Sequence, residues 1–536
     1  MNVAVVIPPV EDFYFSHRRF ASLGAIKGAE ILNKAGFSAD IFDFTKGAQQ
    51  KIEIPKPIKY LNEYVMEEEK GSCSFFTSYT HFGYDTDKCA SIIASGNYIA
   101  VFVSLFAYCY ADSAIAFAKS LKKIKPDIKI IACGAGVSVF PEYFKEYFDS
   151  AIIGEAEIFL EWFKESGLVA DRASRTPDIS HTLISSSDFI LPRPLLQAGN
   201  FTERHTKTGD FTPSIGIAYT DKKSLCVSLM LSRGCFKNCR FCSNFITHGR
   251  GFRNTEPEIL KETLTSMKAV FAEHKNKKIF INIEDDNILC DKSAFLKQLE
   301  IIKEFFIKNG FTDLFFSAEN GLDYMLLDED ICAILINNYN FRQFNFTLTS
   351  SDKNVTESQK RDSDLNKLEN ILFYLGEKKA PAIPAIPAIP AIPTVPSVTY
   401  FIAGLDSDSL EKTTDSLLFL AKTPGLSGIS MFYAVPGLLG FNTDQFLKNI
   451  SPELCRGSSA FPWNNTLSTK QLITAFRISR TINFLKKKEE QLQNIEQELR
   501  KKIISEKKLF TLTANNSIVE PKQVDSEMVE MFFERY

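Results

Sequence analysis

Two long series of apolar strands alternating with helices constrain the fold of this chain more than any other feature. In the first series, strands are predicted at "NVAVVIPP", "SADIFDF", "YIAVFVSLF", "IKIIACGAG" and "SAIIGEAE". A helix is predicted over Phe20–Gly36, ended by its glycine, and others over "ADSAIAFAKSLKKIKPD" and around 141–148. Near-continuous apolar strands joined by helices form parallel sheets covered on both faces. We therefore predict an α/β fold that opens with a doubly wound, Rossmann-like parallel sheet, whose ligands bind beyond the carboxyl ends of its strands.

The second series begins at Ser224 and contains six strand-helix units. Its strands are predicted at "LCVSLML", "KIFINIEDD", "DLFFSAEN", "QFNFTLTSS", "SVTYFIAGL" and "GISMFYAVPG". The helices between them are predicted over 258–272, 292–308, 323–338, 365–378 and 410–421. Because such crossovers are right-handed, six units in succession curl into a partial (β/α)6 or fuller barrel.

A chain of 536 residues is too long for one ordinary core, so several domains are expected. The element pattern and the polar, Pro- and Ser-broken stretch between the two series predict four regions. These are a Rossmann-like domain at 1–165, a linker at 166–222, a barrel at 223–440 and a C-terminal helical region at 441–536.

Two further segments stand apart from the strand-helix alternation. A Pro-Ala-Ile repeat occupies 381–397, where proline at every third residue favours polyproline II. An expanded coding repeat tolerated in a surface loop explains it more simply than a partner-binding sleeve does. Near the C-terminus, Ser468 and Gln471 have capping-box spacing, and one long amphipathic helix is predicted from there through Leu499.

Composition and charge exclude some classes of partner. A net charge of −3 gives no basis for nucleic-acid or membrane-surface binding. The longest apolar stretch, from Tyr98, is too short to span a bilayer, and the chain begins with a strand where a signal peptide would have a basic segment. Eleven cysteines, an odd number, fit a reducing compartment better than a disulfide framework. We expect a cytoplasmic protein.

Three cysteines follow the first barrel strand in "SRGCFKNCRFCSNF", at Cys235, Cys239 and Cys242. The loop is too polar for them to be ordinary core cysteines, and it falls at the barrel mouth, where active sites are built. An iron-sulfur cluster with three thiolate ligands keeps one iron open for a substrate. Structural zinc needs four ligands, and His248 is a candidate fourth, so both metals fit this spacing.

The motif CxxxCxΦC, with Phe241 as its aromatic residue, resembles the signature of the radical S-adenosylmethionine (radical SAM) superfamily. The resemblance implies that Cys235, Cys239 and Cys242 hold a [4Fe–4S] cluster and that its open iron chelates SAM. One-electron reduction would then yield methionine and a 5′-deoxyadenosyl radical. Phe241 would lie beside the adenine.

Further stretches resemble the branch of that superfamily with an N-terminal cobalamin (B12)-binding-type domain. They are "GRGFRNTEPEIL", "GEAE", "NIEDDNIL", "YFIAGLDSDS" and "FYAVPGLLGF", and together with "SRGC" they extend the resemblance over about residues 1–440. Three departures matter: the branch's "GLP" turn is "GLD" here, the "G.ES" of its fourth strand is "TLTSSD", and the "GGE" that holds the SAM amino group in many relatives is "IEDD".

The resemblance also suggests residues for SAM. An ammonium group calls for a nearby carboxylate, so Glu284, Asp285 and Asp286 are candidates, although acids solvated at a strand end would look the same. Ser317 and Glu319, at the end of the third strand, are candidates for the methionine carboxylate or the ribose.

Candidates for cobalamin lie in the first domain. Gly134 and Gly136 would permit close backbone approach to a nucleotide tail, and Gly154 and Glu155 belong to the "GEAE" turn. Glycines at a strand end are also ordinary turn residues. The Asp-x-His-x-x-Gly motif of many cobalamin domains does not occur, but members of this branch often bind base-off cobalamin without a protein ligand.

The resemblance implies an enzyme that cleaves SAM reductively to functionalise an unactivated carbon of a small molecule or peptide. With cobalamin bound, methyl transfer would be the leading outcome, with ring formation or rearrangement as alternatives, and an electron donor such as flavodoxin or ferredoxin would be the partner. Three alternatives remain open from the residues: an iron-sulfur scaffold without catalysis, a zinc scaffold, and a radical SAM enzyme whose first domain binds substrate. A methylthiotransferase fits less well, because the cysteines of the first domain are not in that group's arrangement.

Overall fold

The first region is built on one parallel sheet, as predicted. The computed structural model describes residues 1–15, 22–70, 77–156, 159, 183–184, 215–220, 222–378, 395–438, 440–441 and 450–536. Its first ten strands are β1 (Asn2–Ile7), β2 (Val10–Asp12), β3 (Ser38–Asp43), β4 (Gln49–Lys51), β5 (Glu69–Lys70), β6 (Thr80–Phe82), β7 (Tyr98–Ser104), β8 (Lys129–Cys133), β9 (Ser150–Ile152) and β10 (Leu183–Ile184). Six of them form a sheet of order β10-β9-β8-β7-β1-β3, in which every pair is parallel.

Helices cover this sheet. They are α1 (Leu23–Lys34), α2 (Thr86–Ser95), α3 (Ala111–Ile124) and α4 (Ala135–Ser138), with 3₁₀ turns at Phe44–Lys46, Lys56–Tyr64, Tyr108–Tyr110 and Pro141–Phe144. Gly36 follows α1 at a φ of +88°, the left-handed C′ conformation that the sequence predicted. The sequence analysis missed α2 and a small antiparallel sheet of order β2-β6-β4.

The second series forms the predicted open barrel. Its strands are β11 (Ile215–Thr220), β12 (Ser224–Leu229), β13 (Ser232–Arg233), β14 (Arg253–Asn254), β15 (Lys278–Ile283), β16 (Leu314–Ser317), β17 (Phe344–Leu348), β18 (Ser397–Ala403) and β19 (Leu426–Met431). β12, β15 and β16 are parallel in one sheet, and β17, β18 and β19 in another. A parallel bridge between Phe316 and Phe341 joins the two groups.

The barrel helices are α5 (Asn244–His248), α6 (Pro257–Ser266), α7 (Lys268–Ala272), α8 (Lys292–Lys308), α9 (Glu329–Tyr339), α10 (Lys353–Ser358), α11 (Leu365–Glu377) and α12 (Leu410–Lys422), with 3₁₀ turns at Ile288–Asp291 and Tyr324–Leu326. The helix predicted over 258–272 is in fact two helices that meet at Met267. Residues 215–220, predicted as linker, form β11, which pairs antiparallel with β12. The Pro-Ala-Ile repeat up to residue 394 lies outside the described residues.

The C-terminal region is helical, but its long helix is interrupted. It contains 3₁₀ turns at Pro452–Leu454, Gly457–Ser459 and Glu489–Gln491, helices α13 (Thr469–Leu485), α14 (Asn494–Glu506) and α15 (Ser526–Arg535), and strands β20 (Thr511–Thr513) and β21 (Ile518–Val519). The capping box of Ser468 and Gln471 begins α13, as predicted. The single helix predicted through Leu499 is wrong, because α13 ends at Leu485 and α14 begins only at Asn494. The Lys486 side chain, at the end of α13, donates to the carbonyls of Leu420, Thr423 and Gly425 at the end of α12.

A shared apolar core and a strand pairing near the C-terminus are among the contacts that join the regions. Apolar side chains of the first domain, among them Leu105 and Phe140, share a core with barrel residues such as Ile402 and Phe432. At the other end of the chain, β20 pairs with β5, and Arg477 of α13 forms a buried ion pair with Glu69. Within the described residues, no helix combines the length and apolarity needed to cross a membrane.

Candidate functional site

The three motif cysteines line one cavity at the barrel mouth. Cys235, Cys239 and Cys242 lie on the loop after β13, and the cavity encloses about 910 Å³ counted to its open mouth. Cys239 is buried, whereas Cys242 is exposed. The fold therefore brings the three thiols into one cavity, at the barrel mouth where the sequence predicted them.

A close backbone approach shapes the start of this loop. Gly234 has a φ of +80°, and a Cβ atom there would lie 2.0 Å from the carbonyl oxygen of Gly251. Only glycine fits both conditions. The strands β13 and β14, which pair antiparallel on either side of the cysteine loop, can approach because of it.

Two carboxylates after β15 hold the base of the cysteine loop. Asp285 is buried and accepts hydrogen bonds from the Leu231 amide at 2.8 Å and from the Ser232 hydroxyl. Burial raises the pKa of Asp285 to about 7, although these hydrogen bonds oppose the shift. Asp286 accepts from the Gly234 amide at 2.7 Å. Asp285 and Asp286 therefore fix the strand that leads into the first cysteine.

The structure separates the residues predicted for SAM into two groups. Phe241 and Asp286 line the cysteine cavity, and Asp285 is buried beneath the loop. Glu284 accepts hydrogen bonds from the Ser228 hydroxyl at 2.9 Å and from the side-chain amide of Asn282 at 2.7 Å. Burial raises the pKa of Glu284.

Ser317 and Glu319 belong to the second group. The Ser317 hydroxyl and the Glu319 amide both donate to the Asn282 side-chain oxygen, at 3.3 and 2.9 Å. With Glu284 they form a polar row across β12, β15 and β16. Among the described residues, this row is outside the lining of the cysteine cavity, whereas the neighbouring Asn320 is part of that lining.

Sequence reasoning missed a charged cluster in the same cavity, composed of Lys237, Asn287, Asp323 and Arg361. Asp323 forms ion pairs with Lys237 and with Arg361 and accepts from the Asn287 amide at 3.2 Å. Burial would raise the pKa of Asp323, but the Arg361 and Lys237 cations outweigh it and lower the pKa. These residues come from four separate loops, so no local motif marks them.

Polar groups of that cluster point at the cysteine sulfurs. Arg361 Nη1 donates to the sulfur of Cys239 at 3.7 Å, and Asn287 Nδ2 donates to the sulfur of Cys235 at the same distance. The Lys237 amide donates to Cys235 at 3.4 Å. A hydrogen bond from the Cys290 thiol lowers the pKa of Cys235 to about 6, against the opposing effect of burial. These contacts favour the thiolate at Cys235, which is the form that a metal cluster requires, whereas burial raises the pKa of Cys242.

The described residues contain no group of three or more His, Cys, Asp or Glu side chains spaced to hold a single metal ion. The candidate fourth zinc ligand, His248, has its Nδ1 2.9 Å from Glu155 Oε1 and lines a different cavity. Among the described residues, the lining of the cysteine cavity includes three cysteines and no histidine, and three thiolates are the donor set of a [4Fe–4S] cluster with one open iron.

A second cavity lies at the carboxyl ends of the first sheet and reaches the barrel. Gly134, Gly154 and Glu155 line it, together with Ser104 and Lys27. The sequence predicted Gly134, Gly154 and Glu155 for cobalamin, but it gave no signal for Ser104 and Lys27. The cavity lies where ligands bind in doubly wound folds.

Gly136 has a different role from the one predicted for it. Among the described residues it is outside the lining of the second cavity. A Cβ atom at Gly136 would lie 2.6 Å from the carbonyl carbon of Ala107, so this glycine lets the turn after β8 pack on the loop after β7. Gly136 therefore permits close approach of the backbone at Ala107, where the sequence predicted close approach of a nucleotide tail.

Glu155 ties the two domains together. Its buried carboxylate pairs with Arg233 at 3.1 Å and Arg253 at 3.2 Å, and it also bonds His248. Burial would raise the pKa of Glu155, but His248 and the two guanidinium groups lower the pKa to about 2. Arg233 is two residues before Cys235, so this contact anchors the cysteine loop to the first domain.

Solved structures share this arrangement of domains. The radical SAM methyltransferase TsrM of Kitasatospora setae, with tryptophan substrate and a SAM analogue bound, matches at a TM-score of 0.53 and 14% identity, over 82% of this chain and 74% of that one. The chain has the fold of the cobalamin-dependent radical SAM enzymes. The structure of TsrM with cobalamin and a [4Fe–4S] cluster bound also matches at 0.53, with 12% identity over 81% of this chain and 76% of that one. The fold predicted from the motif resemblance is confirmed.

A curated relative adds a short sequence match. Bacteriochlorophyllide d C-8(2)-methyltransferase of Chlorobaculum tepidum is 30% identical over 80 residues, which is 15% of this chain. The match spans only 18% of that relative's length. No protein-family model matches the chain.

Proposed function

We propose that this protein is a radical SAM enzyme. The observation that carries the proposal is the cavity in which Cys235, Cys239 and Cys242 meet, with hydrogen-bond donors directed at two of their sulfurs. When bound, a [4Fe–4S] cluster would supply the electron that cleaves SAM. A low-potential protein such as flavodoxin or ferredoxin is the proposed source of that electron.

Asp286 and Phe241 are the residues of this chain that we propose for SAM. Both line the cysteine cavity. The Asp286 carboxylate is held by the Gly234 amide, so it is already oriented toward the loop and can accept hydrogen bonds from an ammonium group. Phe241 offers a flat apolar face for the adenine.

We propose cobalamin as a further cofactor and methyl transfer as the reaction class. The supporting observation is the second cavity, which places Ser104 and Lys27 beside the turns at Gly134 and Gly154. Both glycines have positive φ angles, +99° and +94°, so the backbone there turns sharply without a side chain. The methyltransferase identity of both named relatives supports methyl transfer over other uses of SAM.

Anaerobic reconstitution with iron and sulfide tests the cluster. The wild type should bind about four irons per chain and show the broad absorbance and reduced-state EPR signal of a [4Fe–4S] cluster. Replacing Cys242 with Ser should abolish both. The matched control is Cys290→Ser, which removes the thiol beside Cys235 and should leave the iron content unchanged. Loss of the cluster in that control would mean four thiolate ligands and would contradict the proposal.

Reduction in the presence of SAM tests the enzyme. 5′-Deoxyadenosine should form with the wild type and be absent with Cys242→Ser. A colourless, zinc-loaded protein without SAM cleavage would establish a scaffold instead. Cobalamin binding is measured separately by the corrinoid spectrum after anaerobic incubation and desalting. If no corrinoid remains bound, the first domain binds substrate or a partner, and the cobalamin proposal fails.

A further inference from the structure

We propose that Asp323, Lys237, Arg361 and Asn287, here called the Asp323 network, set the reduction potential of the cluster through the cysteine sulfurs. The inference rests on the proposed function, because it requires a [4Fe–4S] cluster at Cys235, Cys239 and Cys242. The proposed effect is on how readily that cluster accepts an electron. The charged groups that would control the potential lie on loops distant in sequence.

The geometry of the network is fixed by its central carboxylate. The Asp323 side chain is 2% exposed, and Oδ1 also accepts from the Met325 amide at 3.2 Å, at the start of a 3₁₀ turn. Asn287 donates to Oδ2, and the cations of Lys237 and Arg361 pair with the carboxylate. The side chains of these two cations are only 9% and 14% exposed. All four groups are therefore preorganised against the cavity wall.

The network reaches two of the three ligand sulfurs directly. Arg361 presents Nη2 to Asp323 and Nη1 to the sulfur of Cys239, while Asn287 uses one amide nitrogen toward both Asp323 and Cys235. The carboxylate thus orients the donors that face the sulfurs. Hydrogen bonds to ligand sulfurs and the local net charge are two of the factors that set the potential of an iron-sulfur cluster.

The charges predict opposite effects for two neighbouring substitutions. The network has two cations and one anion, so a net positive charge lies beside the thiolates and stabilises an added electron. Removing the Arg361 cation and its hydrogen bond should lower the potential. Removing the Asp323 charge should raise it, provided that the amide keeps the cations in place. A role confined to folding would lower cluster content in both variants and give no such reversal of sign.

The experiment is an anaerobic redox titration of the reconstituted full-length protein, with the reduced cluster followed by EPR. In Arg361→Gln, the reduced-to-oxidised ratio at a fixed ambient potential should fall about tenfold, which for one electron corresponds to about 59 mV. In Asp323→Asn the same ratio should rise. Arg361→Lys keeps the charge but loses the planar fork, so its ratio should fall less than that of Arg361→Gln.

The matched control is Arg240→Gln. Arg240 lies on the same cysteine loop, but its Nη1 donates to the Ser358 carbonyl at 3.5 Å, so its loss should leave the ratio near that of the wild type. Equal potentials in all variants would overturn the inference, as would shifts of the same sign in Arg361→Gln and Asp323→Asn. If Arg361 instead held the SAM carboxylate, its variant would raise the KM for SAM at an unchanged potential, which also overturns it.

The failure of this inference differs from the failure of the proposed function. A protein that assembles the cluster and cleaves SAM, but shows variant potentials equal to that of the wild type, contradicts the role of the network alone. A wild-type protein that assembles no [4Fe–4S] cluster contradicts the proposed function, and no potential is then measured.

Discussion

Replacing Glu155 with Gln should destabilise the protein more than an ordinary surface substitution would. The Glu155 side chain is 3% exposed and pairs with Arg233, Arg253 and His248. A carboxyl group whose pKa falls from 4.5 to about 2 on folding contributes about 3 kcal/mol at neutral pH, at about 1.36 kcal/mol per pH unit. Removal of one partner from a buried ion pair costs about 3–5 kcal/mol, which agrees with the value obtained from the pKa of Glu155. We expect a loss of about 3 kcal/mol.

The effect has a defined pH window. Because the folded-state pKa of Glu155 is lowered, its stabilisation is complete above pH 4.5 and is lost as the pH falls toward 2. Urea unfolding followed by circular dichroism at pH 7, 5, 4 and 3 measures this. The difference between the wild type and Glu155→Gln should be constant from pH 7 to 5 and should shrink below 4.5.

A matched variant separates the buried carboxylate from a solvent-exposed one. Glu142 pairs with Lys145 at 3.7 Å, and both side chains are at least 40% exposed. Glu142→Gln should therefore change the unfolding free energy by less than about 1 kcal/mol. If Glu155→Gln unfolds at the same urea concentration as Glu142→Gln at pH 7, or if its deficit is independent of pH down to 3, the reasoning about this ion cluster is refuted.

Three further substitutions, and one control for the last of them, test the packing around the domains. Lys486→Met leaves the carbonyls at the end of α12 without their donor and should lower the unfolding free energy by about 1–3 kcal/mol, measured by urea; no change would show that water replaces the ammonium group. Ser468→Ala removes the capping box of α13 and should cost about 1 kcal/mol in the same assay. Gly136→Ala should lower the thermal midpoint because its methyl group would press on Ala107, whereas Gly24→Ala, with no atom within 4 Å of the added carbon, should not lower it.

The sequence predicted the parallel strands well because each one is a near-continuous apolar run. β7, β8, β15, β16, β17 and β18 lie within the predicted segments, whereas β12 begins one residue and β19 two residues before the predicted start. The errors fall where apolar periodicity gives no information. The helix break after Leu485 coincides with contacts of Lys486 to carbonyls more than sixty residues earlier in the chain, and the short strands of the β2-β6-β4 sheet are stabilised by pairing rather than by burial of an apolar run.

The candidate site was predictable only where its residues are adjacent in sequence. The cysteine spacing placed three thiols in one cavity, and the acidic run placed Asp286 there too. Arg361 and Asp323 were not predictable, because each follows an ordinary polar turn. Arg361 reaches a cysteine sulfur, and Asp323 reaches Arg361, only after β16 and β17 have brought their loops to the barrel mouth. Glu155 was predicted to bind a ligand, but its carboxylate binds arginines from the barrel. The sequence around Glu155 carries no signal for this contact, because the two arginines belong to another domain.

The pairing of β5 with β20 has a consequence for how the protein is made. Residues 69–70 leave the ribosome early, but the strand that completes their ladder, at 511–513, is synthesised more than four hundred residues later. Until then, Glu69 lacks the Arg477 side chain that neutralises it in the finished fold. The nascent chain therefore forms the β5–β20 pairing and the Glu69–Arg477 ion pair only near the end of translation, when the C-terminal region packs on the first domain.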